Sequence, residues 1–173
     1  MNLQPTHLRN ELVQLNPLQE GDLDRLYAVA SDPLIWEQHP NPTRYQRPAF
    51  ETYFNGAMES GGAFLILDQL GDVIGCTRFY DHVPAIKEIK IGYTFFARSC
   101  WGGPFNRCVK RLMLAYAFGY VDRVIFHVGK NNLRSRKAME KIGAIQIAEE
   151  SVAYFGEEPR SNVVYQILKV DFQ

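Results

Sequence analysis

The stretch from Phe95 to Asn106 holds residues whose types and spacing suit ligand binding. An apolar segment leads into it, Gly102 and Gly103 form its centre, and an amphipathic segment follows. Glycines at a strand-to-helix turn let backbone N–H groups approach a ligand closely, and the N-terminus of the following helix favours a phosphate group. The stretch therefore predicts an anion-binding turn. The alternative, a tight turn that only starts a helix, stays open at this point.

The composition is that of an ordinary globular protein. Of the 173 residues, 46% are hydrophobic and 22% are charged, which is enough for a well-formed core, and we expect one domain over residues 1–173. Lys+Arg and Asp+Glu both number 19, so the formal net charge is zero. Because there is no basic excess, we expect neither a nucleic-acid nor a membrane partner.

The cysteine and histidine residues show no disulfide or metal pattern. The three cysteines include no Cys-x-x-Cys pair, which fits a reducing compartment, and the four histidines lack metal-ligand spacing. We therefore expect no bound metal. The first eleven residues contain no apolar signal region, and no apolar run approaches the ~20 residues that span a bilayer. These features predict a cytoplasmic protein.

Hydrophobic periodicity and turn residues predict the elements that must position the Gly102–Gly103 turn. The predicted order is β-α-α-β-β-β-α-β-α-β-β. Strands are expected over residues 11–18, 63–68, 73–80, 88–96, 123–128, 144–152 and 162–172. Helices are expected after residue 22 and over residues 50–58, 105–117 and 133–142. This order indicates an α/β fold of the α+β type, with a mixed, mostly antiparallel sheet covered by helices.

Side-chain periodicity assigns faces within two of these elements. In the strand over residues 88–96, alternation predicts one common face for Ile89, Ile91, Tyr93 and Phe95. In the helix over residues 105–117, the apolar stripe leaves a solvent-facing group that consists of Arg107, Lys110 and Arg111.

Two stretches carry motifs of a known family. Residues 91–106 resemble the acetyl-CoA pyrophosphate motif of the GNAT N-acetyltransferases. Residues 132–143, with Asn-x-x-Ser followed by Glu-Lys-x-Gly, resemble the second motif of that family. One helix and one strand separate them, as in the family, and the element order matches over nearly the whole chain. The chain most resembles the RimJ/RimL branch, whose members acetylate protein N-termini and small amines.

The resemblance implies a GNAT fold of about six to seven strands, with helices on both faces and two central strands that splay apart. Acetyl-CoA would lay its pantetheine arm along one splayed strand and its pyrophosphate against the turn. The implied contacts are Phe95, Phe96, Ala97, Gly102, Gly103, Phe105, Asn106, Asn132, Arg134, Ser135 and Lys137. Asn132 is also suited to cap the following helix, and Arg134 and Lys137 to a solvated face. Pro104 departs from the small residue usual in the family and removes one N–H donor.

Acetyl transfer from a thioester to an amine needs a neutral amine, hydrogen-bond donors for the oxyanion and a proton for the leaving thiolate. Met139 stands where many family members have a tyrosine, so the resemblance leaves Ser135 as the proton donor. The base candidates are Glu88 and His127, with water or an already neutral N-terminal amine as a third option. Glu88 could instead pair with a lysine, and His127 could be structural. Cys100 and Cys108 are expected to be packing residues.

The acceptor pocket is the least determined part of the site. Trp36, His39, Tyr45 and Tyr154 are expected to frame it, with core anchoring as the alternative. Phe155 is a further candidate for its wall, and Glu157 and Glu158 could attract a cationic amine. The acceptor is expected to be an amine on a peptide or a small molecule, and a homodimer is left open. Because Lys90, Pro104 and Met139 depart from the family pattern, a catalytically silent CoA-binding or interaction module is the rival function.

Overall fold

The protein is described by a computed structural model over residues 1–172. The predicted strands and helices are all present, with ends shifted by a few residues. In chain order they are β1 (Val13–Pro17), α1 (Leu23–Ala30), α2 (Arg47–Glu59), β2 (Ala63–Asp68), β3 (Val73–Val83), β4 (Glu88–Phe96), α3 (Phe105–Ala117), β5 (Arg123–Gly129), α4 (Leu133–Lys141), β6 (Ile145–Val152) and β7 (Arg160–Leu168).

The strands form one seven-stranded sheet in the order β1-β2-β3-β4-β5-β7-β6. Neighbouring strands are antiparallel except β4 and β5, which are parallel and pair only between Glu88–Lys90 and Arg123–Ile125. Beyond Lys90 and Ile125 the two strands share no further ladder pair within the described residues. The splayed central strands and the mixed, mostly antiparallel sheet are therefore confirmed.

A bulge in β4 overturns part of the predicted alternation. Tyr93 has a φ of 52°, and the ladder pairs Gly92 with Arg78 and Phe95 with Cys76, so Tyr93 and Thr94 together oppose one residue of β3. A bulge inserts one residue and shifts the side chains beyond it to the other face. Phe95 therefore does not share the face of Ile91.

Helices cover both faces of the sheet, as expected. On one face α3 and α4 pack on a core that includes Ile91, Phe96, Val109, Met113, Phe126 and Met139. On the other face α1 and α2 pack on a second core that includes Leu26, Phe50, Tyr53, Leu65 and Phe95. The two cores leave the gap between β4 and β5 flanked by α3 on one side and by α2 on the other.

The solvent-facing position predicted for Lys110 is wrong. Lys110 is 2% exposed, whereas Arg107 and Arg111 are exposed as expected. Because residues three apart on a helix lie side by side, Lys110 neighbours Met113 at the margin of the apolar stripe. The sheet covers that margin and buries the lysine. Among the described residues, no helix is long and apolar enough to cross a membrane.

Candidate active site

A cleft of about 970 Å³ opens where β4 and β5 separate. Residues of β4, β5, α4 and the α3 N-terminus line it, together with the segment 35–44. It brings together nine of the eleven predicted CoA contacts, namely Phe95, Phe96, Gly102, Gly103, Asn106, Asn132, Arg134, Ser135 and Lys137. Ala97 and Phe105 do not line it. The Ala97 N–H donates to the Ile74 carbonyl at 2.8 Å, and Phe105 packs against the α3 core.

The turn before α3 has the backbone geometry of an anion cradle. Gly102 has a φ of 75°, a conformation that favours glycine, and Pro104 is the N-cap of α3. The space beside Gly102 is open, since a Cβ there would have no neighbour within 4 Å, and a Cβ on Gly103 would make ordinary contact with the Cys100 carbonyl at 3.5 Å. Arg107, Lys137 and Lys141 are among the cationic side chains that line the cleft. Open backbone and cations fit a diphosphate group.

Asn132 caps α4, as its spacing predicted. Its Oδ1 accepts from the Ser135 N–H at 3.1 Å, and the residue is 6% exposed. The cap occupies the side-chain oxygen, so the amide nitrogen is the part of Asn132 with capacity for a cofactor. Ser135 and Met139 follow on the cleft wall, with Met139 6% exposed.

Arg134 connects the two motifs and the segment before α2. Its guanidinium carbon lies 3.8 Å from the ring centroid of Trp101, and its Nη2 donates to the Ile35 carbonyl at 2.9 Å. Nearby, Pro40 packs directly on Gly129 at the end of β5. A Cβ on Gly129 would lie 2.4 Å from Pro40, so this contact requires glycine. The segment 35–40 is therefore held across the cleft by α4 and β5. Arg134 is committed to these contacts, and its predicted contact with a phosphate stays a prediction.

An aromatic wall lies on the α2 side of the gap. Its members that line the cleft are Trp36, His39, Tyr80, Tyr93, His127 and Tyr154. Trp36 is 2% exposed and donates through Nε1 to the Ala30 carbonyl at 2.7 Å. Tyr45 is not brought to the cleft, because it packs among the α2 core residues and its carbonyl accepts from the Tyr27 hydroxyl.

Buried Arg44 completes this wall and determines the place of Glu157. Arg44 Nε and Nη2 both donate to Glu157 Oε1, at 2.9 and 2.6 Å. Arg44 Nη1 lies 3.1 Å from His39 Nε2, and burial together with the Arg44 charge holds the pKa of His39 well below its ordinary value. Glu157 thus neutralises Arg44, Phe155 packs on Gly56 of α2, and Glu158 is exposed.

The two predicted bases have different surroundings. His127 lines the cleft on β5, with Nδ1 3.4 Å from the Tyr80 hydroxyl and Nε2 3.7 Å from Glu150 Oε2. Burial, followed by the charge of Lys90, lowers the pKa of His127, so its ring is neutral at neutral pH. Glu88 does not line the cleft. It lies at the joined end of β4 and β5, where it pairs with Arg123 at 2.5 Å rather than with a lysine.

Lys110 is one of the cleft residues that sequence reasoning missed, together with Arg44, Tyr80 and Tyr93. Its Nζ donates to Thr94 Oγ1 at 2.6 Å and lies 3.4 Å from Thr77 Oγ1. Burial lowers the pKa of Lys110 to about 7. The sequence carries no signal for this, because Thr94 reaches the lysine through a bulge that alternation does not reveal.

Solved structures of acetyltransferases share this fold. A GCN5-related N-acetyltransferase from Brucella melitensis matches with a TM-score of 0.78 at 22% identity over 95% of this chain and 79% of that chain. RimJ from Mycobacterium smegmatis, solved with CoA-disulfide, matches with a TM-score of 0.72 at 16% identity over 95% and 90%. A spermidine N-acetyltransferase from Vibrio cholerae, solved with CoA and spermine, matches with a TM-score of 0.69 at 17% identity over 94% and 99%.

These structural matches are below 25% identity, and the family is assigned by a match to a sequence-family model. No functionally curated protein shows significant sequence similarity to the chain. The family model described as "Acetyltransferase (GNAT) domain" matches residues 13–145, a stretch that includes the cradle, the gap between β4 and β5, and α4. With that match and the fold just described, the chain belongs to the GNAT acetyltransferase family.

Proposed function

We propose that this protein transfers the acetyl group of acetyl-CoA to a primary amine by direct attack in a ternary complex. The cleft is the observation that carries the proposal, because it joins an anion cradle to an unpaired strand edge with an aromatic wall beside it. These are the parts that a nucleotide-linked thioester and an amine acceptor need. A single domain over residues 1–173 in the RimJ/RimL branch is part of the proposal.

Acetyl-CoA would supply an activated acetyl thioester. The N–H groups around Gly102, Gly103 and Asn106, with Arg107 and Lys137, would hold its phosphates. The unpaired edge of β4 at Phe95 and Phe96 would bind the pantetheine arm and offer N–H donors to the oxyanion. Asn132 would contribute its side-chain amide. Ser135 stays the hydroxyl that we expect to face the sulfur.

His127 is the base that the site favours for the acceptor amine. It lies on the aromatic side of the sheet, and its lowered pKa keeps it neutral and able to take a proton at neutral pH. A weak base removes a proton from an α-amine, with a pKa of ~7.7–8.0, more readily than from a lysine, with a pKa of ~10.4. We therefore favour the N-terminal amine of a peptide as acceptor, with a small-molecule amine as the second choice.

The rival function, a silent CoA-binding module, is favoured by one observation. Met139 lines the cleft and offers no hydroxyl for the leaving thiolate. Binding of acetyl-CoA without release of CoA on any amine would support that module.

Calorimetric titration of acetyl-CoA, followed by CoA release against a panel of peptide and small amines, tests the proposal. Gly103→Glu is expected to abolish binding, because its carboxylate would fill and repel the phosphate site. The matched control is Gly21→Glu, since a Cβ at Gly21 has no neighbour within 4 Å and Gly21 lies outside the cleft. Equal affinity in both variants would place the phosphates elsewhere, and no binding by the wild type would refute both functions.

A further inference from the structure

We infer that Lys110 is a further acid–base residue of this cleft, and that its amine delivers the proton taken up by the CoA sulfur as the acetyl group leaves. The inference rests on the proposed function. It concerns a residue that enters the cleft from α3, whereas Ser135 enters from α4.

Lys110 lies at the point where the two central strands begin to separate. Its Nζ donates to Thr94, one of the two bulged residues of β4, at 2.6 Å. The same atom lies 5.9 Å from the ring centroid of Phe126, which directly follows the last β5 residue paired with β4. The Lys110 amine therefore lies between β4 and β5 beyond their last ladder pair, about one and a half helical turns along α3 from the anion cradle.

The surroundings of Lys110 leave its charge without a carboxylate partner. Within residues 1–172 its ammonium makes no ion pair, and its hydrogen-bond partners are the hydroxyls of Thr94 and Thr77. Among the described residues, the Cys76 thiol of β3 is the titratable group that favours the charged form of Lys110, while β4 and β5 present Thr94 and Phe126. Burial lowers the pKa to about 7, so protonated and neutral forms coexist near neutral pH. A group that exchanges a proton near the working pH is suited to acid–base catalysis.

The position of Lys110 relative to the sheet fits a proton donor to the leaving group. Phe126 belongs to the α3 core, whereas His127, the next residue, contacts Tyr80 in the aromatic wall on the opposite side. An amine that enters from the aromatic side would thus meet its base there. The proton for sulfur would come from the α3 side, where Lys110 lies.

The step is balanced without a further reactant. The acceptor nitrogen forms a bond to the acetyl carbon, and the carbon–sulfur bond breaks with its electron pair on sulfur. Protonated Lys110 gives its proton to that sulfur, and the proton lost by the acceptor nitrogen goes to His127 or water. Solvent then returns a proton to Lys110.

A purely structural role does not require a lysine at this position. Thr77 Oγ1 and Thr94 Oγ1 lie 2.8 Å apart and hydrogen-bond each other without it. A buried ammonium is costly to desolvate, so an apolar side chain of similar length would pack at least as well. Lys110→Met is therefore expected to keep or raise Tm. Lys110→Gln, which keeps a hydrogen-bond donor, serves as the second variant.

The test is an ultraviolet titration of the thiol of CoA bound to the wild type, to Lys110→Met and to Lys110→Gln, with desulfo-CoA as the blank. The CoA thiolate and protonated Lys110 stabilise each other, so at pH 7.5 the thiolate fraction of bound CoA is expected to be at least about twofold higher in the wild type than in Lys110→Met and Lys110→Gln. Arg111→Met, which removes an exposed cation of the same helix outside the cleft, is expected to match the wild type.

Rate measurements on an accepted amine give the second readout. Lys110→Met is expected to lower kcat about 100-fold and to remove the fall in kcat at alkaline pH, since the proton donor must be protonated. Equal thiolate fractions at pH 7.5 in all variants would overturn the inference alone. So would loss of stability in Lys110→Met with an unchanged pH profile. Failure of the wild type to bind CoA would overturn the proposed function as well.

Discussion

Arg44 and Glu157 are 113 residues apart in the chain and form a buried ion pair with 2.6 Å between Nη2 and Oε1. Their side chains are 2% and 9% exposed. The pair joins the segment before α2 to the connection between β6 and β7, and it lies against the rings of Trp36, Tyr53 and Tyr154. It therefore holds together the wall of the proposed acceptor pocket.

Removing one partner of this pair should be strongly destabilising. Glu157→Ala leaves a buried guanidinium without its carboxylate, and a loss of about 3 kcal/mol in the free energy of unfolding is expected. Because the double variant Arg44→Met/Glu157→Met buries no unpaired charge, it should regain most of that loss. Urea denaturation of the variants measures both effects. A Glu157→Ala protein as stable as the wild type would mean that the pair does not organise the pocket.

Restoring an amide at position 104 should strengthen acetyl-CoA binding. Pro104 is the N-cap of α3 and carries no N–H, so the cradle has one donor fewer. Pro104→Ala adds that donor, and a hydrogen bond to a charged group contributes roughly 1.5–3 kcal/mol. We expect the Kd of acetyl-CoA to fall about tenfold, as measured by calorimetry.

The same substitution frees the backbone of the unfolded chain, so Tm should decrease slightly. The control is Pro84→Ala, at a proline that precedes β4 and lies outside the cleft. An unchanged Kd in Pro104→Ala would show that the missing amide does not limit phosphate binding.

His39 should make the stability of the protein depend on pH. Burial and the charge of Arg44 lower the pKa of His39 in the folded state, whereas the unfolded histidine keeps a pKa of ~6.5. As pH falls below that value the unfolded state binds the additional proton, so folding stability decreases. Between pH 7.5 and 5.5 this contributes a loss of about 1 kcal/mol.

His39→Gln keeps an acceptor for Arg44 and removes the titration. It should lose less stability than the wild type over the same pH interval, as measured by urea denaturation at both pH values. The carboxylates titrate alike in the two proteins, so the difference isolates His39. Parallel losses in both proteins would contradict the assignment.

The sequence was sufficient for those parts of the site that local chemistry determines. The Gly102 turn, the cap by Asn132 and the order of strands and helices along the chain all follow from residue types within short windows. The bulge at Tyr93 does not, because its carbonyl accepts from the Tyr53 hydroxyl, which lies 40 residues earlier. The surroundings of Lys110 depend in turn on that bulge. Long-range contacts of this kind leave no periodic trace in the sequence.

The short parallel ladder between β4 and β5 has a mechanical consequence. Three residues of each strand join the half-sheet β1–β4 to the half-sheet β5–β7, and the Glu88–Arg123 ion pair lies at this joint. The joint is much shorter than the strands that extend from it. A small rotation about the joint therefore changes the width of the gap beside the cradle, at the far end, much more than its width beside Lys110. Substitutions at the joint should alter the fit of the long cofactor before they alter the chemistry close to the joint.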